Sequence, residues 1–250
     1  VHQVIRRALN QAVHWGWLNA NPALRASAPK ARQAEITPPS ARQVARLMDV
    51  AWARNPDFAA YLALAAATGA RRGEMCGLRH SDFDPAESTL LIARAIVQVG
   101  REMTVKGTKT DRLRRITLDE DTAAVLVAHL ERSKVRFVRA AANPYIFSRS
   151  ADGAEHLKPG NVSTNWRHLC RSAGVKGVRL HDLRHYHGTG LLTAGVDVRT
   201  VAGRLGHANP SMTLKVYGHF MPAADAAAAA VWKQTRDAVQ ADAKDPRHPA

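Results

Sequence analysis

Hydrophobic spacing along the chain changes period several times, and each change marks a predicted element. Val4, Ile5, Leu9, Val13 and Trp17 recur at steps of three and four, so residues 1–18 are predicted to be helical. The chain opens inside this helix, without an initiator Met or a cap, and further sequence upstream is expected. Residues 19–39, NANPALRASAPKARQAEITPP, carry Pro, Ala and charge without period and read as a linker ending at residue 36. A second region begins at Thr37. Residues 40–53 place Val44, Leu47, Met48 and Ala51 on one helical face. Residues 58–67 are apolar almost throughout, which predicts a buried helix, and Gly69 stops it. The period then shortens. STLLIARAIVQV (88–99) is rich in Leu, Ile and Val, Gly100 turns the chain, and REMTVKG and RLRRITL follow. This predicts a three-stranded antiparallel meander.

Helical spacing returns over residues 119–141. It recurs over 161–174, with Asn161 or Ser163 as cap and Gly174 as stop, and over 181–194, ended by Gly195. Residues 197–205 and 211–217 predict two short helices. Residues 223–240 have high helix propensity, and the tail after them is expected to fray. No internal repeat is present. The fold class expected is α+β: a mostly helical domain with a small three-stranded antiparallel sheet.

Charge narrows the partner. Lys and Arg exceed Asp and Glu by enough to give +15 and a pI near 10.7, which favours a polyanion. DNA, RNA and an anionic membrane surface all satisfy that charge. No apolar stretch approaches ~20 residues, so no transmembrane helix is expected. The N-terminal residues lack the apolar block of a signal peptide. Cys76 and Cys170 are the two cysteines, which excludes a disulfide framework and a cysteine-rich zinc site and fits a reducing cytoplasm.

The chemistry concentrates in HDLRHYHG (181–188). His181 and His185 lie one helical turn apart and could face a metal, but Arg184 shares that side and would repel a cation. A phosphate fits better: an imidazole and a bidentate guanidinium suit two oxygens of one phosphate group. The plainer alternative has His181 capping a helix and Arg184 in a surface ion pair. Two further stretches change the weighting. TGARRGEMCGL (68–78) sets Arg71 and Arg72 at the end of the most apolar helix, with Glu74 spaced to orient Arg71. LGHANPSMTLKVYGH (205–219) adds His207 in a Gly-flanked turn and Tyr217 on a short helix.

Together these motifs resemble the tyrosine recombinases, the phage-integrase type of site-specific DNA recombinase. TGARRGEMCGLRHSDFD is similar to the family's first arginine box. HDLRHYHGTGLLTAGVDVRTVAGRLGHANPSMTLKVYGH is similar to its second. The resemblance covers residues 37–222 as a catalytic domain, and residues 1–18 resemble the last helix of a preceding core-binding domain. It implies Arg71 as the first catalytic arginine and Glu74 as its supporting acid. Lys109 would be the hairpin lysine, His181 and Arg184 the His-x-x-Arg pair, His207 the His-or-Trp position, and Tyr217 the nucleophile. Two details depart from the family pattern: Thr117 stands where the hairpin often ends in proline, and Lys106 lies near Lys109. Counting back from the third strand favours Lys109.

The implied reaction is transesterification through a 3′-phosphotyrosyl intermediate, with His181 as general base and Lys109 as general acid. Neither metal nor any other cofactor is implied. Arg72, Lys106, His185 and Arg204 are candidate DNA contacts. The implied assembly is a homotetramer on double-stranded DNA through the helix at 223–240, anchored by Val231 and Trp232. The other readings are a DNA-binding remnant of the same fold that has lost activity, and a type IB topoisomerase-like enzyme.

Overall fold

The computed structural model describes residues 1–27, 37–107, 113–136, 141–217 and 229–237. The chain divides into two compact units, Val1–Ile36 and Thr37–Ala250. In the first, helix α1 (His2–His14) leads into a 3-10 turn at Pro22–Leu24. Asn21 joins the two. Its amide donates to Arg6 O (2.9 Å) and Asn10 Oδ1 (2.6 Å), and its Oδ1 accepts from Ala23 N (2.8 Å).

In the second unit, α2 (Ala41–Arg54) starts at a capping box. Ser40 Oγ accepts from Gln43 N (3.2 Å), and Gln43 Oε1 accepts from Ser40 N (2.9 Å). The next helix, α3 (Pro56–Thr68), has Asn55 as cap, proline at its first turn and left-handed Gly69 as stop. It buries Ala59, Ala60, Tyr61, Leu62, Leu64, Ala65 and Thr68, residues on all its faces, as its unbroken apolar sequence predicts. Helix α4 (Arg72–Gly77) follows at once and was not predicted from spacing.

Among the described residues the strands that follow are β1 (Phe83–Asp84), β2 (Thr89–Ile92), β3 (Arg94–Val99), β4 (Glu102–Gly107) and β5 (Arg114–Thr117). They form an antiparallel sheet ordered β1-β2-β5 and a separate hairpin, β3-β4. The single strand expected over 88–99 is therefore two. Its apolar run is continuous, but its partners change at Ala93. Leu90 of β2 pairs with Ile116 and enters the core, whereas Ile96 of β3 pairs with Val105. Strand β3 lies directly on α4, and Gly73 permits the approach: a Cβ there would stand 2.6 Å from Ile96 O. Gly73→Ala is expected to destabilise the fold by about 1–3 kcal/mol, read as a lower denaturation midpoint.

The remaining helices are α5 (Glu120–Arg136), α6 (Pro159–Ser172), α7 (Asp182–Thr193), α8 (Val198–Leu205) and α9 (Pro210–Tyr217). Helix α6 begins earlier than expected. Lys158 is its N-cap and Pro159 opens it, rather than Asn161 or Ser163, because proline presets the helical φ. Residues 229–237 are helical. The main core gathers Leu47, Tyr61, Leu62, Met75, Leu90, Ile116 and Ile146. A smaller cluster joins Leu192, Val201, Leu205 and Tyr217. No helix among the described residues is long and apolar enough to cross a membrane.

Candidate active site

Glu74 organises the first half of the site. Its carboxylate is buried and accepts from Arg71 N (2.7 Å) and Arg71 Nη1 (3.0 Å). From the other side come Arg114 Nη1 (3.1 Å) and Nη2 (2.6 Å). Burial alone would raise the Glu74 pKa, but hydrogen bonds and charge from Arg114 and Arg71 outweigh it and hold the carboxyl below its ordinary value. Both arginines also reach the segment around α8. Arg71 Nη2 donates to Gly206 O (3.2 Å), and Arg114 Nε donates to Arg204 O (3.0 Å). The two arginine-bearing stretches, far apart in sequence, are thus tied to one another.

Arg184 projects from the first turn of α7 and is only 4% exposed. Its Nη1 donates to Gly69 O (2.7 Å), the carbonyl at the end of α3. Its Nη2 is buried and has no hydrogen-bond partner among the described residues. Burial first, then Arg71, push its guanidinium down to about 10, so it stays cationic at neutral pH. Glu74, Tyr217 and Arg114 are the other charges that act on it. His207 follows α8, and its Nδ1 lies 2.7 Å from the hydroxyl of Thr213, which is fully buried on α9. Burial, Arg184 and Arg71 lower its pKa to about 4, so the ring is neutral.

Tyr217 ends α9 at 1% exposure, packed with Leu192, Val201 and Leu205. Burial pushes its hydroxyl up to about 12, against a downward pull from Arg184. Among the described residues its oxygen has one hydrogen-bond partner, His185 Nδ1, at 2.9 Å. This departs from expectation: the imidazole at the tyrosine hydroxyl is His185, not His181. His181 stands at the N-cap position of α7 without a side-chain capping bond and stays exposed, its ring 5.0 Å from that of His185 in an edge-on arrangement. Crowding by the protein, then His185 and Arg184, lower its pKa to about 4.

The structure therefore brings Arg71, Glu74, His181, Arg184, His207 and Tyr217 into one connected cluster, and adds His185, Arg114 and Thr213. Sequence reasoning does not single out Arg114 or Thr213. For Arg114 a signal exists: it shares a strand face with Ile116, two residues on, so it points inward. The other expected residues scatter. Arg72 is exposed and donates to Ser163 Oγ of α6, and Lys106 is exposed on β4 opposite Ala95. Arg204 is spent on the protein itself, donating to Thr117 O (3.2 Å) and Ala67 O (3.3 Å). Arg204 is half-buried and His185 is buried. Lys109 lies outside the described residues.

The model of the phage integrase family matches residues 40–223. The chain belongs to this family. Among its relatives, the ICEBs1 integrase of Bacillus subtilis (strain 168) is 27% identical over 170 residues, 66% of this chain and 45% of the relative. Among solved structures, the Tn1549 transposon integrase in complex with a circular intermediate DNA superposes at a TM-score of 0.71 with 17% identity. That match covers 86% of this chain and 73% of the other. A lambda integrase tetramer bound to a Holliday junction gives 0.62 with 19% identity, covering 86% and 57%. These superpositions agree with the α+β fold built above. The chain spans about half the length of the curated relatives it matches.

Proposed function

We propose that this chain carries the catalytic domain of a site-specific DNA recombinase that cuts and rejoins DNA through a 3′-phosphotyrosyl bond on Tyr217. The observation that carries the reading is Arg184. It is a buried cation with its Nη2 unpartnered among the described residues, and Arg71 and the Tyr217 hydroxyl both act on it electrostatically. A buried guanidinium donor left open is costly unless an anion meets it. A phosphodiester supplies that anion and the electrophile for the tyrosine together.

In the reaction, the Tyr217 oxygen attacks phosphorus and a 5′-hydroxyl leaves. Arg71 and Arg184 stabilise the charge that gathers on the nonbridging oxygens. If the Thr213 hydroxyl donates to Nδ1, the proton of neutral His207 sits on Nε2 and adds a further donor. Glu74 and Arg114 fix the Arg71 guanidinium. His181, at the open end of α7, faces the phosphate beside Arg184, and Lys109 is the proposed general acid for the leaving oxygen. The covalent intermediate conserves the energy of the broken bond, and the arginines supply positive charge at the phosphate, so neither ATP nor a metal enters this scheme.

Double-stranded DNA is the proposed partner, matched by the net charge of +15, and affinity should fall steeply with salt. Exposed Arg72 and Lys106 suit backbone contacts. A homotetramer through the C-terminal helix is proposed because Val231 and Trp232 are 60% and 68% exposed, as residues that anchor on a neighbouring protomer would be. A cytoplasmic location is proposed with that partner.

The test is covalent capture. The protein is incubated with nicked duplexes spanning the junctions that flank its gene, and the adduct is digested and mapped by mass spectrometry. A phosphotyrosyl nucleotide on the peptide containing Tyr217 is expected. An adduct on another residue, or none on any bound duplex, defeats the reading. A second prediction concerns the tyrosine's seat. A Cβ on Gly188 would stand 2.9 Å from Tyr217 Cζ and 3.1 Å from its hydroxyl oxygen. Gly188→Ala is expected to displace the ring and slow adduct formation by roughly 100-fold, with duplex affinity unchanged in a binding titration.

A further inference from the structure

We infer that His185 is a catalytic residue of this site, its Nδ1 accepting the proton of the Tyr217 hydroxyl as that oxygen attacks phosphorus. This rests on Tyr217 being the nucleophile. As the Oη–P bond forms, the Oη–H bond breaks and its proton passes to Nδ1. The P–O5′ bond breaks and the general acid protonates O5′. Rejoining runs the same steps backwards, with Nδ1 returning its proton to the tyrosine, so nothing is consumed.

Geometry selects His185. Its Nδ1 lies 2.9 Å from Tyr217 Oη, within the reach a general base requires. The two rings are 5.7 Å apart at 59°. The tyrosine ring sits over Gly188, almost one turn further along α7, which fixes the hydroxyl against the His185 face of that helix. His181 is one turn earlier and exposed, and it makes no hydrogen bond to Tyr217 among the described residues. The His181 ring instead meets the His185 ring edge-on at 5.0 Å.

The surroundings keep His185 neutral and so able to accept. Burial is the largest influence on it. Arg179 and Arg184 oppose a positive charge there, and Asp182 favours one. Asp182 is itself engaged by Arg179, through the backbone N (2.7 Å) and Nη2 (2.9 Å). His181 and Tyr217 complete the ring of titratable neighbours. The net effect lowers the His185 pKa, so a neutral ring meets a phenol whose own pKa stands near 12. A base is needed because so little of that phenol ionises unaided.

The experiment measures adduct formation on the nicked junction duplexes for the wild type, His185→Ala and His185→Asn. Asparagine can hold the tyrosine hydroxyl but cannot take its proton. Both variants are expected to slow the step by about 10²–10⁴-fold with unchanged duplex affinity. Their residual rates should keep rising with pH into the alkaline range, where the wild type is flat. A second duplex carries a 5′-bridging sulfur, a leaving group that needs no acid. The His185 defect should persist on it, whereas a Lys109→Ala defect should vanish.

Adduct formation by His185→Asn within about threefold of wild type would reduce His185 to a holding role and overturn the inference. A His185 defect that sulfur rescues would make His185 an acid and overturn it equally. Thermal melts separate folding losses from chemistry. Should both variants unfold, the wild-type profile on the sulfur duplex decides: the rate must fall on the acid side of neutrality, and a flat profile sinks the idea. Absence of any wild-type adduct at Tyr217 instead defeats the underlying reading, a distinguishable outcome.

Discussion

Tyr217→Phe is expected to remove the covalent DNA adduct to the detection limit while leaving the fold and the affinity for duplex intact. The substitution deletes a single oxygen. The ring keeps its packing with Leu192, Val201 and Leu205, so the small cluster that seats α9 is undisturbed. His185 Nδ1 loses its partner, a penalty of about 1–3 kcal/mol, which a domain of ordinary stability tolerates. The chemistry has no substitute nearby. Tyr61 is in the main core, its hydroxyl turned to Arg72 O at 3.4 Å. Tyr145 lies beneath the Arg79 guanidinium, 4.2 Å from its ring, and accepts from Arg79 Nη2 at 3.0 Å. Tyr186 packs against the main core, and Tyr217 belongs to the smaller cluster. Denaturing electrophoresis reads the adduct and a salt-controlled gel shift reads binding. An adduct that survives in the Phe variant moves the nucleophile elsewhere and removes the basis for assigning His185. Loss of binding together with the adduct would make Tyr217 a packing residue.

What the sequence discloses about this site divides along a physical line. Arg71, Glu74, His181, Arg184, His207 and Tyr217 are legible because each sits at a fixed offset within a short motif, and short motifs survive as local geometry. Which imidazole meets the tyrosine is not legible. His181 and His185 lie one turn apart on the same helical face, and spacing treats them alike. The choice is made by where α9 docks on α7, which is tertiary. Arg114 is hidden for a similar reason: RLRR reads as a basic strand, and only the pairing of β5 with β2 turns Arg114 toward Glu74. The break between β2 and β3 falls inside one apolar run, because strand propensity registers burial and not the identity of the hydrogen-bonded partner. Helix α4 is six residues with two glycines, a poor helix by propensity. It forms because Glu74 turns back to cap Arg71 N, and it buries Met75 and Cys76. The helices that were readable, α2 and α3 above all, are those whose caps and apolar faces agree with one another before any tertiary contact is made.

Glu74 should be the position where stability and chemistry fail together. Its side chain is 5% exposed and stands between Arg71, 43% exposed, and Arg114, 10% exposed. The Arg114 pair is the buried one, so Glu74→Ala strands a buried guanidinium and is expected to destabilise the domain by about 3–5 kcal/mol. The Arg71 pair is open to solvent and adds little by itself, at most about 1 kcal/mol. Its importance is directional. With the carboxylate gone, Arg71 keeps only its bond to Gly206 O among the described residues, and a displacement of about 1 Å at the phosphate slows adduct formation by roughly 100-fold. Glu74→Gln separates the two effects, since it keeps the shape and loses the charge. The folded pKa of Glu74 is depressed, so the charge contributes stability above the unfolded carboxylate pKa of about 4.3 and loses it as pH falls through the folded value. Denaturation curves should therefore show a gap between wild type and Glu74→Gln that is constant from neutrality to about pH 5, then narrows with further acidification. A gap that stays the same in acid would mean that packing, not the carboxylate charge, holds Arg71 and Arg114 in place. The tie between the two arginine-bearing stretches would then rest on the Gly206 and Arg204 carbonyls instead.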